Sequence, residues 1–180
     1  MDILTCYDFL TPDEHQYAIE NTINSSNWAF KGHSDDKSTD LTFWYLPLDH
    51  DTFFTTKLVE KINQYTRKNF VLERVYANGQ TYGLSGSLHR DKENGNNQYY
   101  TFLYYVQPNW LPEWGGQTVF YDDNEKMVFQ QFPTPNLGII FNSEILHAGL
   151  EPTRFCSILR VTIAFKLKLN NRIIKLNINT

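Results

Sequence analysis

The stretch Tyr99-Tyr100-Thr101-Phe102-Leu103-Tyr104-Tyr105-Val106 predicts a buried β-strand near the middle of the chain. It consists almost entirely of aromatic and β-branched residues, the types that fit a half-buried pleated surface best. Turn residues, Asn78-Gly79 among them, separate it from other strand-like stretches. These lie at 41–46, 73–77, 117–121, 127–132, 137–141, 156–169 and 172–178. Many short strands with this spacing are typical of an antiparallel sandwich or jelly roll.

Two helices are predicted ahead of most of these strands. Thr11 can cap the first helix, Pro12 suits its first turn and Glu14 completes a capping box. Apolar residues then carry this helix to about Asn24. The second helix is expected over about 51–69, because apolar residues recur there at helical spacing: Phe54, Leu58, Ile62 and Tyr65.

We therefore predict an α+β, mainly β protein, a jelly roll with the N-terminal helices packed on one sheet. Its 180 residues suit one domain with a full-sized core. Hydrophobic residues make up 41% and aromatic residues 16% of the chain, which argues against disorder. We expect a single domain over 1–180, with 1–70 as a helical support region and 71–180 as the jelly-roll core.

Charge and cysteine content exclude several classes of protein. The formal net charge is −4 and no basic run stands out, so nucleic acid is not expected as a partner. No apolar run approaches the roughly 20 residues of a membrane-spanning helix, and residues 1–5 do not resemble a secretory signal. Cys6 and Cys156 are expected to be free and reduced. These features predict a soluble, intracellular protein of the cytoplasm.

The motif Leu88-His89-Arg90-Asp91 is a candidate metal site. In an extended segment, residues two apart point to the same face, so His89 and Asp91 would present a nitrogen and an oxygen side by side. His147 is the best candidate for a third ligand. Two histidines and one carboxylate on one side of a metal are the signature of non-haem Fe(II) oxygenases. The alternatives are a surface turn for the His-x-Asp pair and an ordinary loop histidine for His147.

Arg160 is the second candidate functional residue. It lies in the apolar strand Ile158-Leu159-Arg160-Val161-Thr162-Ile163-Ala164-Phe165, where alternation puts Arg160 and Thr162 on one face. Burying a guanidinium is costly unless it is paired, and no protein carboxylate faces it in the sequence pattern. An anionic ligand is the economical partner, since guanidinium and carboxylate pair through two hydrogen bonds. The alternative is an outward-facing arginine on an edge strand.

Taken in order, these motifs resemble the Fe(II)/2-oxoglutarate-dependent dioxygenases, and among them the prolyl 4-hydroxylase-like group. His-x-Asp, a distant histidine and then Arg-x-Thr in the next strand form the central pattern. The flanking stretches are also similar to the family's and extend the resemblance over nearly the whole chain: 9–14, 76–80, 101–106 and 114–120. The ordered set is far more specific than His-x-Asp alone.

The resemblance implies a distorted double-stranded β-helix with Fe(II) at its mouth. His89, Asp91 and His147 would bind the iron, while Arg160, helped by Thr162, would hold the distal carboxylate of 2-oxoglutarate. The positions of three further residues match the cosubstrate pocket of the family: Tyr76, Tyr105 and Thr118. Ordinary β core is the alternative for both tyrosines. Dioxygen would be the oxidant and ascorbate a reductant.

The resemblance also implies hydroxylation of a prolyl residue in a peptide or protein. Prolyl hydroxylases often carry lysine at the carboxylate-binding position, so Arg160 fits another branch of the superfamily equally well. The rivals are a free amino-acid hydroxylase, an alkylation-repair demethylase of nucleic acids, and a non-catalytic cupin-like binding domain. Lys166 stands where the demethylases have a second arginine. The loops at 83–88 and 91–98 are candidate lids, and the oligomeric state is not predicted.

Overall fold

The structure, a computed structural model, describes residues 3–34, 41–92 and 97–170. Within these ranges the two α-helices are α1 (Pro12–Asn21) and α2 (Leu58–Thr66), and a π-helical stretch, Phe53–Lys57, leads into α2. The strands are β1 (Ile3–Cys6), β2 (Ala29–Gly32), β3 (Phe43–Pro47), β4 (Phe70–Gln80), β5 (Tyr99–Tyr105), β6 (Thr118–Tyr121), β7 (Met127–Gln131), β8 (Leu137–Asn142), β9 (Leu146–Gly149) and β10 (Arg160–Leu169).

The strands form two antiparallel sheets. The major sheet has seven strands in the order β1-β8-β5-β10-β4-β3-β2, and the minor sheet has three in the order β7-β6-β9. Strand β10 lies at the centre of the major sheet, paired with β4 on one side and β5 on the other. Residues on β10 are therefore flanked by partners on both sides, which fixes the orientation of its side chains.

The helices cover the outer face of the major sheet. Thr11 and Glu14 form the predicted capping box at the start of α1. A continuous hydrophobic core joins the helices to alternate residues of the sheet, including Ala18, Ile19, Leu58, Ile62, Phe102, Val75, Ile163 and Phe165. Helix α2 ends at Arg67, which has the left-handed φ of 54° that terminates helices.

A second apolar cluster fills the space between the two sheets. Leu103, Ala164 and Phe141 of the major sheet pack there with Phe120 of the minor sheet. Since both faces of the central strands are covered, their side chains are almost completely buried. The architecture is mainly β, a double-stranded β-helix with the N-terminal helices on one sheet, and this confirms the predicted fold class.

Several local predictions differ from the structure. The predicted turn at Asn78-Gly79 is wrong, because β4 continues through both residues and pairs there with β3 and β10. A side chain at residue 79 would place its Cβ 2.8 Å from Leu159, so glycine permits close packing at this point. The sequence did not reveal strands β1, β2 and β9, and β10 begins at Arg160 rather than at Cys156. The predicted strand at 172–178 lies outside the described residues.

The described residues also bear on membrane insertion and on the state of the cysteines. Within the described ranges, no helix combines the length and apolar character needed to cross a bilayer. Cys6 is buried and Cys156 is half-buried, and both thiols are free, as predicted.

Candidate metal centre and its pocket

His89 and His147 lie directly opposite each other. They form an isolated antiparallel bridge in which the N–H of each residue donates to the carbonyl of the other at 2.9 Å. His147 is held in β9, whose partner in the minor sheet is β6. Asp91 follows two residues after His89. The ligand atoms that His89, Asp91 and His147 offer all lie within 4.8 Å of one another, so the structure brings together the three residues that the sequence singled out.

The loop that carries His89 and Asp91 is anchored by the residue between them. The side chain of Arg90 donates to the carbonyl of Glu144 and, at 3.0 Å, to the carboxylate of Asp123. Just after the motif, the N–H of Lys92 donates to the carbonyl of Ser143 at 3.1 Å. These contacts tie the His-x-Asp segment to the turn before His147 and to the turn between β6 and β7.

Both imidazole rings are oriented by the backbone. Nδ1 of His89 lies 2.9 Å from the carbonyl of Ser87, and Nδ1 of His147 lies 2.8 Å from the carbonyl of Ile145. If each Nδ1 carries the proton and donates it, each Nε2 keeps a free lone pair, as metal-binding histidines require. The two Nε2 atoms lie 3.4 Å and 3.6 Å from the oxygens of Asp91.

One oxygen of Asp91 is already occupied by protein donors. Oδ2 accepts from the hydroxyl of Thr101 at 2.5 Å and from the ammonium of Lys166 at 2.5 Å. Burial by itself raises the pKa of the Asp91 carboxyl, but Lys166 and the two imidazoles outweigh burial and hold that pKa well below its usual value. Asp91 is therefore an anion, and Oδ1 is the oxygen that remains for a metal.

His147 is suited to bind as a neutral ligand. Burial lowers the pKa of His147 to about 4, against the opposing effect of the Asp91 carboxylate. A neutral imidazole is the form that donates a lone pair to a metal.

The chemistry of this donor set fits a divalent first-row metal. Such ions bind imidazole nitrogen at about 2.0–2.1 Å, so neighbouring ligand atoms around them lie about 3 Å apart. The distances of 3.4 Å and 3.6 Å between the donors are close to this value. Two imidazoles and one carboxylate leave the opposite side open, which is the arrangement of non-haem Fe(II) oxygenases.

Arg160 lies in the same cavity as these three residues. Its side chain is 1% exposed and sits on the central strand β10, so the alternative of an outward-facing arginine on an edge strand is wrong. The guanidinium donates to the carbonyl of Gly116 at 2.6 Å, to Oε1 of Gln80 at 2.6 Å and to the hydroxyl of Thr118 at 3.1 Å.

All three acceptors of Arg160 are neutral. Within the described ranges no carboxylate forms an ion pair with it. Burial lowers the pKa of Arg160 to about 10, which still leaves it charged at neutral pH. A buried charge without a counter-ion is costly, so an anion in the cavity would supply the missing partner.

Gly116 shapes the place where Arg160 lies. It has a φ of 73°, in the left-handed region, and a Cβ there would lie 3.1 Å from Cδ of Arg160. A glycine therefore lets the backbone approach the guanidinium and accept its Nε–H.

The other residues expected at the pocket fall into two groups. Tyr76, Thr118 and Thr162 line the cavity directly. Tyr105 is completely buried and is absent from the lining; its hydroxyl donates to Thr118 at 2.7 Å, so it supports the pocket wall from behind. A larger cavity of about 840 Å³ is lined by Leu4, Arg90 and Tyr121, and none of the three candidate ligands lines it.

Sequence reasoning missed four residues of this site. Gln80 and Asn78 share a face of β4 with Tyr76 and line the cavity, and Oδ1 of Asn78 is buried without a hydrogen-bond partner. Lys166 and Thr101 bind Asp91 from β10 and β5. Alternation along β10 from Arg160 places Lys166 on the same face, but its partner depends on a register between distant strands that the sequence does not show.

Comparisons with known proteins agree with this geometry. The family model of the 2OG-Fe(II) oxygenase superfamily matches residues 74–165. No curated protein matches the sequence.

Solved structures with a similar fold include three prolyl hydroxylases. A prolyl hydroxylase from Trichoplax adhaerens, in complex with a peptide of hypoxia inducible factor, has a TM-score of 0.68 at 17% identity, with 92% of this chain and 83% of that chain covered. A prolyl-4-hydroxylase from Pseudomonas putida has a TM-score of 0.65 at 15% identity, with 93% and 92% covered. A viral collagen prolyl hydroxylase from Paramecium Bursaria Chlorella virus-1, in its 2OG complex, has a TM-score of 0.63 at 15% identity, with 93% and 96% covered.

The family match includes His89, Asp91, His147 and Arg160, the four residues that the fold gathers in one cavity. This chain belongs to the 2OG-Fe(II) oxygenase superfamily.

Proposed function

We propose that this protein is an Fe(II)- and 2-oxoglutarate-dependent dioxygenase that hydroxylates a prolyl residue in a peptide or protein. The observation that carries the proposal is the shared cavity. It combines three side chains that could hold a metal ion with a buried guanidinium whose described partners are all neutral. In charge and in donor type, this set of side chains is complementary to a divalent metal together with a small dicarboxylate.

Each residue of the site would have a separate task. His89 and His147 would bind Fe(II) through Nε2, and Asp91 would bind it through Oδ1. The carbonyls of Ser87 and Ile145 would keep the rings in position by accepting from Nδ1. When bound, Fe(II) and 2-oxoglutarate supply the oxidising power by which dioxygen hydroxylates an unactivated C–H bond, with release of succinate and CO2.

The protein's contribution on the cosubstrate side is orientation. Arg160 would bind the distal carboxylate of 2-oxoglutarate, and Gln80, Gly116 and Thr118 hold its guanidinium in one plane. Thr162 follows Arg160 on the same face and would supply a further hydroxyl. A fixed distal end sets the angle at which the other end of the molecule reaches the metal, which is the positioning role of a protein around a cofactor.

The choice of a prolyl substrate is supported by similarity. The three structures named above are prolyl hydroxylases, and one of them contains a bound peptide. Their identity to this chain is 15–17%, so the experiment must also include free amino acids and nucleic acids as substrates.

The test is substrate-stimulated release of succinate. Purified protein with Fe(II), 2-oxoglutarate and ascorbate as reductant would be incubated with proline-rich peptides, free amino acids or single-stranded oligonucleotides. We expect stimulation by a proline-containing peptide, together with a mass gain of one oxygen atom on that peptide. The peptide with alanine in place of the proline should not stimulate.

Two results would decide against the proposal. Stimulation by a free amino acid or an oligonucleotide, with none by peptides, would replace prolyl hydroxylation by another activity of the superfamily. Lack of 2-oxoglutarate binding in the presence of Mn(II), measured by calorimetry, would show that the domain does not use this cosubstrate at all. His147→Ala is the control variant, and it should lose metal-dependent release of succinate with every substrate tested.

A further inference from the structure

A second cavity adjoins the metal centre. Its volume is about 440 Å³, and Asp91 and Lys166 line it as well as the metal cavity. The Asp91–Lys166 ion pair therefore forms a wall shared by the two cavities. A molecule in the second cavity would lie beside the carboxylate that is a candidate metal ligand.

The lining of the second cavity carries three cations and the two carboxylates of Glu73 and Asp91, so it has a net positive charge although the chain as a whole carries −4. Arg74, Lys92 and Lys166 line it, and Lys168 extends over the ring of Tyr99, another lining residue, with Nζ 5.4 Å from the ring centroid. We call this feature the cationic groove, defined by Arg74, Lys92, Tyr99, Lys166 and Lys168.

The strand register explains why these cations gather. Lys166 on β10 is opposite Arg74 on β4 and opposite Thr101 on β5, while Lys168 is opposite Tyr99. Residues directly opposite each other in a sheet project from the same face. Arg74 and Lys166 thus lie on the face of the major sheet that also carries Arg160, further along β10.

Not all of this charge is neutralised within the protein. Lys166 is paired with Asp91 at 2.5 Å, and Lys92 with Glu73 at 3.7 Å. For Arg74 and Lys168, no carboxylate of residues 3–34, 41–92 or 97–170 forms an ion pair. Both side chains are exposed, so an incoming anion could reach them.

Tyr99 of the groove and the neighbouring Tyr76 favour a carboxylate ligand over a stacked base. The Arg74 guanidinium lies 5.3 Å from the Tyr76 ring centroid, and the Lys92 ammonium lies 4.8 Å from that of Tyr99. Single-stranded nucleic acids bind to rings whose faces can receive bases, whereas these rings already carry protein cations. The net negative charge of the chain also disfavours a polyanion.

We propose that the cationic groove binds an acidic side chain of the peptide substrate, through Arg74 and Lys168, and so selects prolyl residues with Asp or Glu close by. This inference rests on the proposed function. The two cavities share the Asp91–Lys166 wall, so the acidic residue lies close in sequence to the hydroxylated one.

The test compares three peptides that share one proline and differ only at one position near it, which is Glu, Gln or Lys. We expect kcat/KM to be highest for the Glu peptide and its KM to rise with ionic strength, because exposed charge pairs are screened by salt. Binding of the same fluorescent peptides to protein loaded with Mn(II) and 2-oxoglutarate is measured by anisotropy, so recognition is scored separately from turnover.

Charge variants test the groove itself. Arg74→Gln and Lys168→Gln should each weaken binding of the Glu peptide about threefold to fivefold, and the double variant about tenfold or more. Lys168→Glu should reverse the preference toward the Lys peptide. Lys126→Gln removes one exposed positive charge outside the groove, and it should leave the preference unchanged.

The outcomes separate this inference from the proposed function. Equal binding of all three peptides, with prolyl hydroxylation intact, overturns the groove and leaves the function standing. Preferential binding of the Glu peptide without hydroxylation supports the groove and overturns the prolyl hydroxylase. A single-stranded oligonucleotide is also tested as a competitor of the labelled Glu peptide. If it displaces that peptide at a lower concentration than unlabelled peptide does, nucleic acid replaces the acidic side chain as the occupant of the groove.

Discussion

The ammonium of Lys166 lies 2.5 Å from Oδ2 of Asp91, inside the protein and next to two histidines. The side chains of both residues are less than a tenth exposed. This ion pair holds the carboxylate in one orientation, so that Oδ1 rather than Oδ2 faces the imidazole nitrogen of His89. A lysine from the central strand of the major sheet thus positions the oxygen that a metal would use.

Lys166→Met should destabilise the metal-free protein. Removing one partner of a buried ion pair leaves the other charge without compensation, at a cost of about 3–5 kcal/mol in the free energy of unfolding. Asp91→Asn in the same background should recover much of the loss, since it removes the orphaned charge. Urea unfolding of the wild type, both single variants and the double variant measures the coupling. Additive effects of the two substitutions would show that the ion pair has no energetic role.

Arg160→Ala should weaken 2-oxoglutarate binding about 30-fold or more, because loss of one partner of a buried, hydrogen-bonded charge pair costs about 2–5 kcal/mol. Its effect on Mn(II) affinity should be small, since Arg160 makes no contact with the candidate ligands. Calorimetry with each ligand separates the two effects. Arg154→Ala, at an exposed arginine, is the matched control. Unchanged 2-oxoglutarate affinity in Arg160→Ala would remove this residue from the cosubstrate site.

The fold class could be predicted because it depends on local patterns. The capping box of Thr11 and Glu14 and the apolar strand β5 (Tyr99–Tyr105) each carry their signal within a few residues. Asn78-Gly79 shows where local reasoning fails. The pair has the composition of a turn, but strands on both sides, supplied by distant parts of the chain, extend β4 through it.

The sequence predicted which residues form the candidate site better than it predicted how the strands bring them together. His-x-Asp and the buried Arg160 follow from alternation and from the cost of burying charge. The pairing of His147 with His89 is a long-range bridge, so the sequence made His147 a candidate ligand without showing the strand pairing that places it. Lys166 was noted only as a departure from another family, because its contact with Asp91 depends on the register of β10 against β5.

Gly138→Ala should destabilise the major sheet by about 1–3 kcal/mol, the usual cost of overpacking a core. A Cβ at residue 138 would overlap with Cζ of Phe102, whose ring is buried in the core between the helices and the major sheet. Phe102→Leu shortens that side chain, so the double variant should be more stable than the sum of the two single effects predicts. Chemical unfolding of all four proteins tests this. A cost of less than about 0.5 kcal/mol for Gly138→Ala alone would contradict the close packing.

Glu14 should make the stability of α1 depend on acid. Burial alone raises the pKa of Glu14, but the ammonium of Lys61, the backbone N–H of Thr11 and Lys57 at 3.1 Å outweigh it and lower that pKa to about 2. Because the folded-state pKa lies below the unfolded value of about 4.3, the ionised carboxylate stabilises the fold above about pH 4. That stability is lost as the pH falls toward 2.

Glu14→Gln should therefore be about 1–2 kcal/mol less stable than the wild type at pH 7. The difference should shrink between pH 4 and pH 2 in urea unfolding series, whereas a difference that stays constant over this range would show that the charge of Glu14 is not the stabilising feature.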